Sequence, residues 1–440
     1  MRWVMGLHSA RPVRSSVVLL ALCAACSGGG HPAPKHNASP TAFSHVGALG
    51  TVLATGDNTS GQLGIPTRGI VDTLQPVKGI GGIRVLTGIG ALAGGGRHSL
   101  ALRSDGTVLA WGANDFGQLG TGARAPASYP TPVKAADHQR GLLRNVIAIA
   151  ADSNFSLALL RNGHVVTFGS GNFGQRGVGT TSAPYTPTTV LAENGHGPLS
   201  GVRAIAADGS TEMALLRNGT VVGWGANNSG QLGDGTTTTR ELPVHVRGIN
   251  GQGRLSGVVA IALGGHHALA VLRGGSVLSW GANDRGQLGD GTTVPHGFPL
   301  PVHGINGVGL LTGATEVSAA EKHGFARLRD GRVAGWGFGT AGQLGNGTPG
   351  DKTVPTLVLD PAGAHPLTGV AQIYAGEAYG VALLADGTAL SWGAGEAGQL
   401  GSGREQARTL PGALSYLGLS PRHVRVVAPG VRHLLLSADP

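Results

Sequence analysis

A short turn, Gly-Gln-(Leu/Arg)-Gly, recurs along this chain at nearly constant spacing, and that spacing restricts the fold more than any other feature. Its glutamine falls at Gln62, Gln118, Gln175, Gln231, Gln287, Gln343 and Gln399, in steps of 56 residues with a single step of 57. Seven residues before each stands Thr55, Trp111, Phe168, Trp224, Trp280, Trp336 or Trp392, so five of the six tryptophans occupy one repeat position. Self-similarity at a fixed period marks a repeat architecture, in which each unit buries its apolar faces against its neighbours.

A complete unit reads GVVAIALGGHHALAVLRGGSVLSWGANDRGQLGDGTT (257–293), followed by a stretch rich in Thr and Pro. Apolar runs of strand length alternate with glycine-rich turns, and no stretch has the 3.6-residue period of a helix. Asp105-Gly106, Asn162-Gly163, Asn218-Gly219, Asp330-Gly331 and Asp386-Gly387 occupy the same hairpin in sister copies. Asp-Gly and Asn-Gly favour type I′ turns, so tight two-residue reversals are expected there. The Pro-rich stretch predicts an edge strand, because proline cannot donate to a central ladder. About four short strands per unit, seven times over, predict an all-β, seven-bladed β-propeller built from 56-residue repeats. The 79 glycines and the 4% aromatic content fit a turn-rich protein of this kind.

The first copy, GTVLATGDN (50–58), has no HSLAL-type strand before it, whereas APGVRHLLLSADP (428–440) ends where the Asp-Gly turn would come. The two ends therefore read as halves of one composite blade that closes the ring without a covalent link. Thr55, at the usual Trp position, belongs to that blade.

Residues 1–26 read differently. Basic MRWVMGLHSARPVR is followed by apolar SSVVLLALCAAC and then by a Gly/Ser/Pro-rich stretch. That order describes an export signal, and CAAC is similar to a bacterial lipobox with Cys26 as the lipidated residue. Both cysteines, Cys23 and Cys26, lie in this segment. The expected organisation is a signal peptide of lipoprotein type at 1–26, a flexible linker at 27–45 and the propeller at 46–440. The chain is then an envelope-anchored or secreted monomer.

The chain carries 32 Lys and Arg against 23 Asp and Glu, and Arg2, Arg11 and Arg14 fall in the leader, which leaves 29 against 23. Such a mild excess, without a Lys/Arg run, gives no footprint for nucleic acid. GSGNFG (169–174), GFGTAG (337–342) and GAGEAG (393–398) match a dinucleotide fingerprint in letters, but they are the repeat's own turn and open no helix. His98, His267, His323 and His433 share one repeat position, with Phe155, Thr211 and Tyr379 in the other copies. Residues spread over different blades do not converge on a metal, so packed histidines bonded to backbone are expected, with no metal and no cofactor. Trp111, Trp224, Trp280, Trp336 and Trp392 read as core wedged between blades. Gln118, Gln231, Gln287, Gln343 and Gln399 read as amides bridging backbone groups at blade junctions.

The stretch GGGRHSLALRSDGTVLAWGANDFGQLGTG (94–122) resembles the regulator-of-chromosome-condensation (RCC1) repeat, and the resemblance covers essentially all of the chain after the leader. It implies a seven-bladed propeller. The family's eponymous eukaryotic member is a nuclear exchange factor for a small GTPase that binds chromatin, partners an exported bacterial chain would not meet. Function is sought instead where exposed turns differ between copies. Phe116 and Phe173 precede the Gly of the GQ turn in neighbouring blades, where Arg285 stands in another copy. Arg97 and Arg432 precede the repeated His in blades that the closed ring makes adjacent. These five residues are the candidate protein-binding positions. The expected function is non-enzymatic binding or scaffolding of a protein or envelope partner through the loop faces. An extracellular carbohydrate-active hydrolase or lyase is the alternative, and exchange-factor or regulatory activity a weaker one. The acidic residues are few and are expected mostly in turns.

Overall fold

The computed structural model describes residues 50–181, 185–416 and 423–439. Cys26, the leader and the linker lie outside them. The described chain forms seven four-stranded sheets. We number these as blades 1 (89–132), 2 (146–189), 3 (202–245), 4 (258–301), 5 (314–357), 6 (370–413) and a composite blade 7. Helical structure among the described residues is confined to three single 3-10 turns, at Ile80–Gly82, Ile249–Gly251 and Ile305–Gly307.

Blade 4 shows the plain pattern. Its inner strand Val258–Gly264, middle strands His267–Leu272 and Val277–Gly281, and outer strand His296–Pro301 run as an antiparallel meander. HALAV and VLSWG are buried throughout because each blade is covered on both faces, so their apolar runs need not alternate with polar residues. The outer strand ends the sheet, and Pro299 sits there at no cost to the ladder. Prolines occupy the same place as Pro130, Pro187, Pro243, Pro355 and Pro411.

The hairpin turns differ from the type I′ expectation. That turn requires positive φ at both central residues, yet the residues at positive φ include Gly106, Gly163, Gly219, Gly331 and Gly387 and none of the Asp or Asn preceding them. Gly106 N donates to Arg103 O at 3.0 Å and Arg103 N to Thr107 O at 2.9 Å, a type I turn closed by a left-handed glycine bulge. Asp105 Oδ1 accepts from Thr107 N at 2.9 Å, a bond that rewards an ordinary φ at the aspartate.

Blade 7 is composite, as the sequence predicts. Its strands run in the order Ile70–Pro76, Thr51–Asp57, His433–Asp439, His423–Pro429, with Thr51 opposite Ala438 and Gly56 opposite His433. Val431 N donates to Gly95 O of blade 1 at 3.2 Å, and Leu74 N donates to Ser415 O beyond blade 6 at 3.0 Å. Both seams of the clasp are thus hydrogen-bonded.

One latch repeats around the ring. Trp111, Trp224, Trp280, Trp336 and Trp392 are fully buried. Each donates its indole Nε1–H, at 2.8–2.9 Å, to the backbone carbonyl of the GQ glutamine in the preceding blade: Gln62, Gln175, Gln231, Gln287 and Gln343. Each Oε1 of Gln118, Gln231, Gln287, Gln343 and Gln399 accepts the backbone N–H two residues earlier, while Gln118 Nε2 and Gln231 Nε2 reach Asn154 and His266 of the next blade, both at 3.3 Å. The glutamine thus rigidifies its own turn and presents its carbonyl to the next blade. The structure refines the amide-bridge expectation: the Gln118 and Gln231 amides cross the junction to side chains, and the repeated junction bond is the one between carbonyl and indole.

The repeated histidines add a side-chain link at two positions. Ser156 Oγ donates to Gln118 O at 2.9 Å, so at 2.9 Å from His98 Nε2 it accepts the imidazole N–H. Ser99 Oγ likewise donates to Gln62 O at 2.7 Å and accepts from His433 Nε2 at 3.0 Å. His98 and His433 therefore link blades through a serine hydroxyl, as neutral Nε2–H tautomers. Burial holds them in that state, lowering His98 to about 3 and His433 to about 4.

Candidate functional site

The loops joining inner to second strands and the GQ turns lie on one face of the ring. Ala113 N donates to Arg97 O, and Ala282 N to His266 O, both at 2.8 Å, so each GQ turn starts beside its own inner loop.

The five candidate binding positions do not form one cluster. Phe116, in blade 1, is half-buried, and Phe173, in blade 2, is 52% exposed. Against the first of these turns lies a residue the sequence reading missed, Tyr185. It is exposed and packs directly over Gly117, where an added Cβ would meet the Tyr185 Cα at 3.0 Å. The Arg124 guanidinium sits 4.9 Å from the Tyr185 ring centroid, a cation–π contact at the surface. Phe116, Arg124, Tyr185 and Phe173 thus lie on neighbouring turns of blades 1 and 2. Arg285 is elsewhere, 3.4 Å from Asp351 and stacked 5.4 Å over Phe338. Arg97 pairs with Asp115 at 3.7 Å, while Arg432 acts on Glu377. Although the ring closes, these two arginines serve different carboxylates.

At the centre of the ring lies a cavity of about 320 Å³. Its wall is built from the inner strands of all seven blades, with Leu92, Ile149, Ile205 and Leu263 among the apolar residues and Asp152, Asp208, Glu321 and Glu377 among the acidic ones. Asp152 and Asp208 are the last residues of inner strands in adjacent blades. Glu321 and Glu377 directly follow the inner strands of blades 5 and 6. Glu212 and Glu316 lie inside strands and are buried. Most of the other acidic residues lie in turns and loops, as expected, so Asp152, Asp208, Glu212 and Glu316 are exceptions to that rule.

The carboxylates are strongly perturbed. Burial raises Asp152 to about 6, and a hydrogen bond from Asp208 opposes the rise. Burial, followed by the charge of Asp152, pushes Asp208 well above the usual carboxylate range. Glu377 is raised by burial and by Glu321, with which it shares a hydrogen bond, while Arg432 pulls it down. No group of three or more His, Cys, Asp or Glu among the described residues is arranged to hold a metal ion.

The profile of the RCC1-like domain matches residues 41–371, and that of the RCC1 repeat matches 386–436. The chain belongs to the RCC1-like family. Its propeller is similar to the crystal structure of Prp20p from Saccharomyces cerevisiae, at TM-score 0.71 and 22% identity over 91% of this chain and 93% of that one. It is equally similar to human WBSCR16, at TM-score 0.71 and 23% identity over 89% and 99%. Both likenesses concern the fold. In sequence it is 33% identical over 316 residues to the E3 ubiquitin-protein ligase HERC2 of Homo sapiens, covering 70% of this chain and 6% of that protein. It is 30% identical over 334 residues to the ultraviolet-B receptor UVR8 of Arabidopsis thaliana, covering 75% and 71%. This RCC1-like chain therefore spans a small fraction of HERC2 and most of UVR8.

Proposed function

We propose that this RCC1-like propeller is a non-enzymatic binding module that takes a protein partner on the face carrying the GQ turns. The observation that carries the reading is the surface group of Phe116, Arg124, Tyr185 and Phe173. Exposed aromatics beside an arginine are the side chains that anchor protein interfaces, and the GQ turns that carry Phe116 and Phe173 are tied at their glutamine carbonyls by Ser156 and Trp224. Relatives point the same way, since the Prp20p structure is described with binding properties to Gsp1p and histones, and another shows Kap60 bound to yeast RCC1. The proposed location is the cell envelope or exterior, with attachment through Cys26. The leader-like segment 1–26 and its CAAC sequence support this location.

Affinity capture from an envelope fraction tests the binding reading. The parent is expected to retain a specific protein that Phe173→Ala combined with Tyr185→Ala releases, while Arg285→Ala on the far side retains it. Equal capture by all three removes the patch from consideration. Palmitate labelling that survives Cys26→Ser would refute the anchor.

A further inference from the structure

We propose that the face of the ring carrying the Asp-Gly and Asn-Gly hairpins docks on the surface of a bilayer containing anionic phospholipid, which turns the GQ face outward. A column of arginines marks that face. Arg161, Arg217, Arg273 and Arg329 stand two residues before Gly163, Gly219, Gly275 and Gly331, at the hairpins of consecutive blades 2 to 5. All four are exposed, and their side chains meet no carboxylate, carbonyl or ring among the described residues. The fold does not require them. Arg217 N donates to Gly201 O and Arg273 N to Gly257 O, both at 2.9 Å, but Ala385 N makes the same bond to Gly369 O at 2.9 Å without a long side chain. Arg144 and Arg203 add exposed charge from the entrances of inner strands. Burial and then the charge of Arg273 hold the Arg203 guanidinium below its usual range, so like charges face each other across the junction of blades 3 and 4.

Little on this face offsets the charge. Asp105, Asp330 and Asp439 each already hold an arginine outside the column, Arg103 at 3.4 Å, Arg332 at 2.7 Å and Arg425 at 2.6 Å. Asp386 is left, in blade 6, where Ala385 takes the column position. The hairpins and inner-strand entrances thus hold nine arginines against four aspartates, whereas the described chain as a whole holds 27 Lys and Arg against 23 Asp and Glu. The entire excess sits here, and a one-sided charge of this kind orients a protein on a surface of opposite sign. The same face presents aliphatic side chains. Val85, Leu142 and Leu310 are exposed, each directly before a buried leucine in a segment that joins one blade to the next. Leu86 O accepts from Val52 N at 3.0 Å and Leu311 O from Val277 N at 3.2 Å, which places those segments at the hairpin ends of the strands. Exposed aliphatics suit the headgroup and acyl boundary of a bilayer and gain nothing from a phosphodiester backbone. The chain also enters the ring here, because Gly50 precedes Thr51, which pairs with Ala438 where the other blades have their hairpin. An anchor at Cys26 would draw this face toward the membrane. That last point rests on the envelope location proposed above; the arginines and aliphatics do not.

Vesicle co-sedimentation of residues 27–440, which contain the whole closed ring and no cysteine, tests the face apart from the anchor. Binding is expected to vesicles of about one-third phosphatidylglycerol in phosphatidylcholine at about 0.1 M salt, and should weaken steeply at about 0.5 M. Vesicles of phosphatidylcholine alone should not bind. Arg217→Gln and Arg273→Gln should each weaken binding by about fivefold, and together by about twenty-five-fold, at an unchanged melting temperature. Arg404→Gln, in the loop after the GQ turn of blade 6, should bind like the parent. A polarity-sensitive fluorophore attached at Leu310→Cys should shift to the blue on binding, and one at Arg404→Cys should not. Binding indifferent to lipid charge, or weakened as much by Arg404→Gln as by Arg217→Gln, would overturn the proposal. So would a DNA duplex bound as tightly as the anionic vesicles, which would make the face a nucleic-acid surface. Palmitate labelling of Cys26 without vesicle binding would keep the anchor and remove the docked face; vesicle binding without labelling would do the reverse.

Discussion

Blade 4 and blade 7 have the same strand order in space but are closed by different chemistry. In blade 4, Trp280 donates to Gln231 O of blade 3, and its ring fills the junction beside Val246 and Gly233. In blade 7, Thr55 Oγ1 lies 2.9 Å from Gly398 O of blade 6 and 2.7 Å from Val71 O. The small side chain thus keeps a polar tie to the preceding GQ turn and loses the bulk. Two neighbours restore it. Leu414 stands where Val77, Val133, Val190, Val246, Val302 and Val358 stand in the other copies, and Leu74 replaces the outer-strand proline. Both meet Thr55 over Gly401, whose added Cβ would lie 3.1 Å from Thr55, 3.5 Å from Leu414 and 3.7 Å from Leu74. Losing that proline also frees the N–H that bonds Ser415 O. A junction can therefore be built from one large ring or from two leucines and a hydroxyl, provided volume and the polar tie are both kept.

Removing residues 423–440 should give the largest effect, because it strips two of four strands from blade 7, leaves Thr51–Asp57 with an unpaired edge and uncovers faces of blades 1 and 6. Near-ultraviolet circular dichroism and size-exclusion chromatography should show loss of the native ring, and an unchanged melt would disprove the clasp. Trp280→Ala should cost about 3–5 kcal/mol, read by denaturant unfolding, since it removes a fully buried ring and its donor. Thr55→Trp should also destabilise, by about 1–3 kcal/mol, because Leu74 and Leu414 already fill the space. Adding Leu74→Pro and Leu414→Val to it should recover most of that loss, and no recovery would show that the three positions are not coupled. The smallest effect concerns Glu212 of blade 3, whose counterpart in blade 4 is Ala268. Burial, then the charge of Asp152, raises its carboxyl well above the ordinary value. Its stabilising contribution is complete below the unfolded value of about 4.3 and is lost as pH rises through the folded one. The melting temperature should fall as pH is raised, and Glu212→Gln should flatten part of that slope.

The architecture was legible because it is written seven times. The Gln and Trp columns give the blade, and the truncated first copy gives the clasp. The cavity acids were not legible in the same way. They stand at two different offsets in four copies: Asp152 and Asp208 three residues before the repeated His position (Phe155 and Thr211 in those copies), Glu321 and Glu377 two before it. Read along the chain, each looks like an isolated exception. Only when the inner strands are brought around a common axis do they become neighbours. Blade 2 hides a similar exchange, in which Gly171 replaces the usual Asn and buried Arg176 replaces the usual Leu. The arginine fills the vacated space, its Cδ 3.0 Å from where a Cβ on Gly171 would lie. Tyr185 was missed because its position, two residues before the outer-strand proline, carries a residue unrelated to tyrosine in each sister blade: Ser128, Glu241, Gly297, Thr353 and Thr409.

The clasp also decides how the ring bears load. Thr51–Asp57 is flanked on both sides, by Ile70–Pro76 and by His433–Asp439. Its ladder bonds run perpendicular to the strand. A pull transmitted through Gly50 along the strand axis therefore strains both ladders in shear, all bonds at once, instead of peeling them one after another. The same strand that completes the circle is the one placed to resist being drawn out of it.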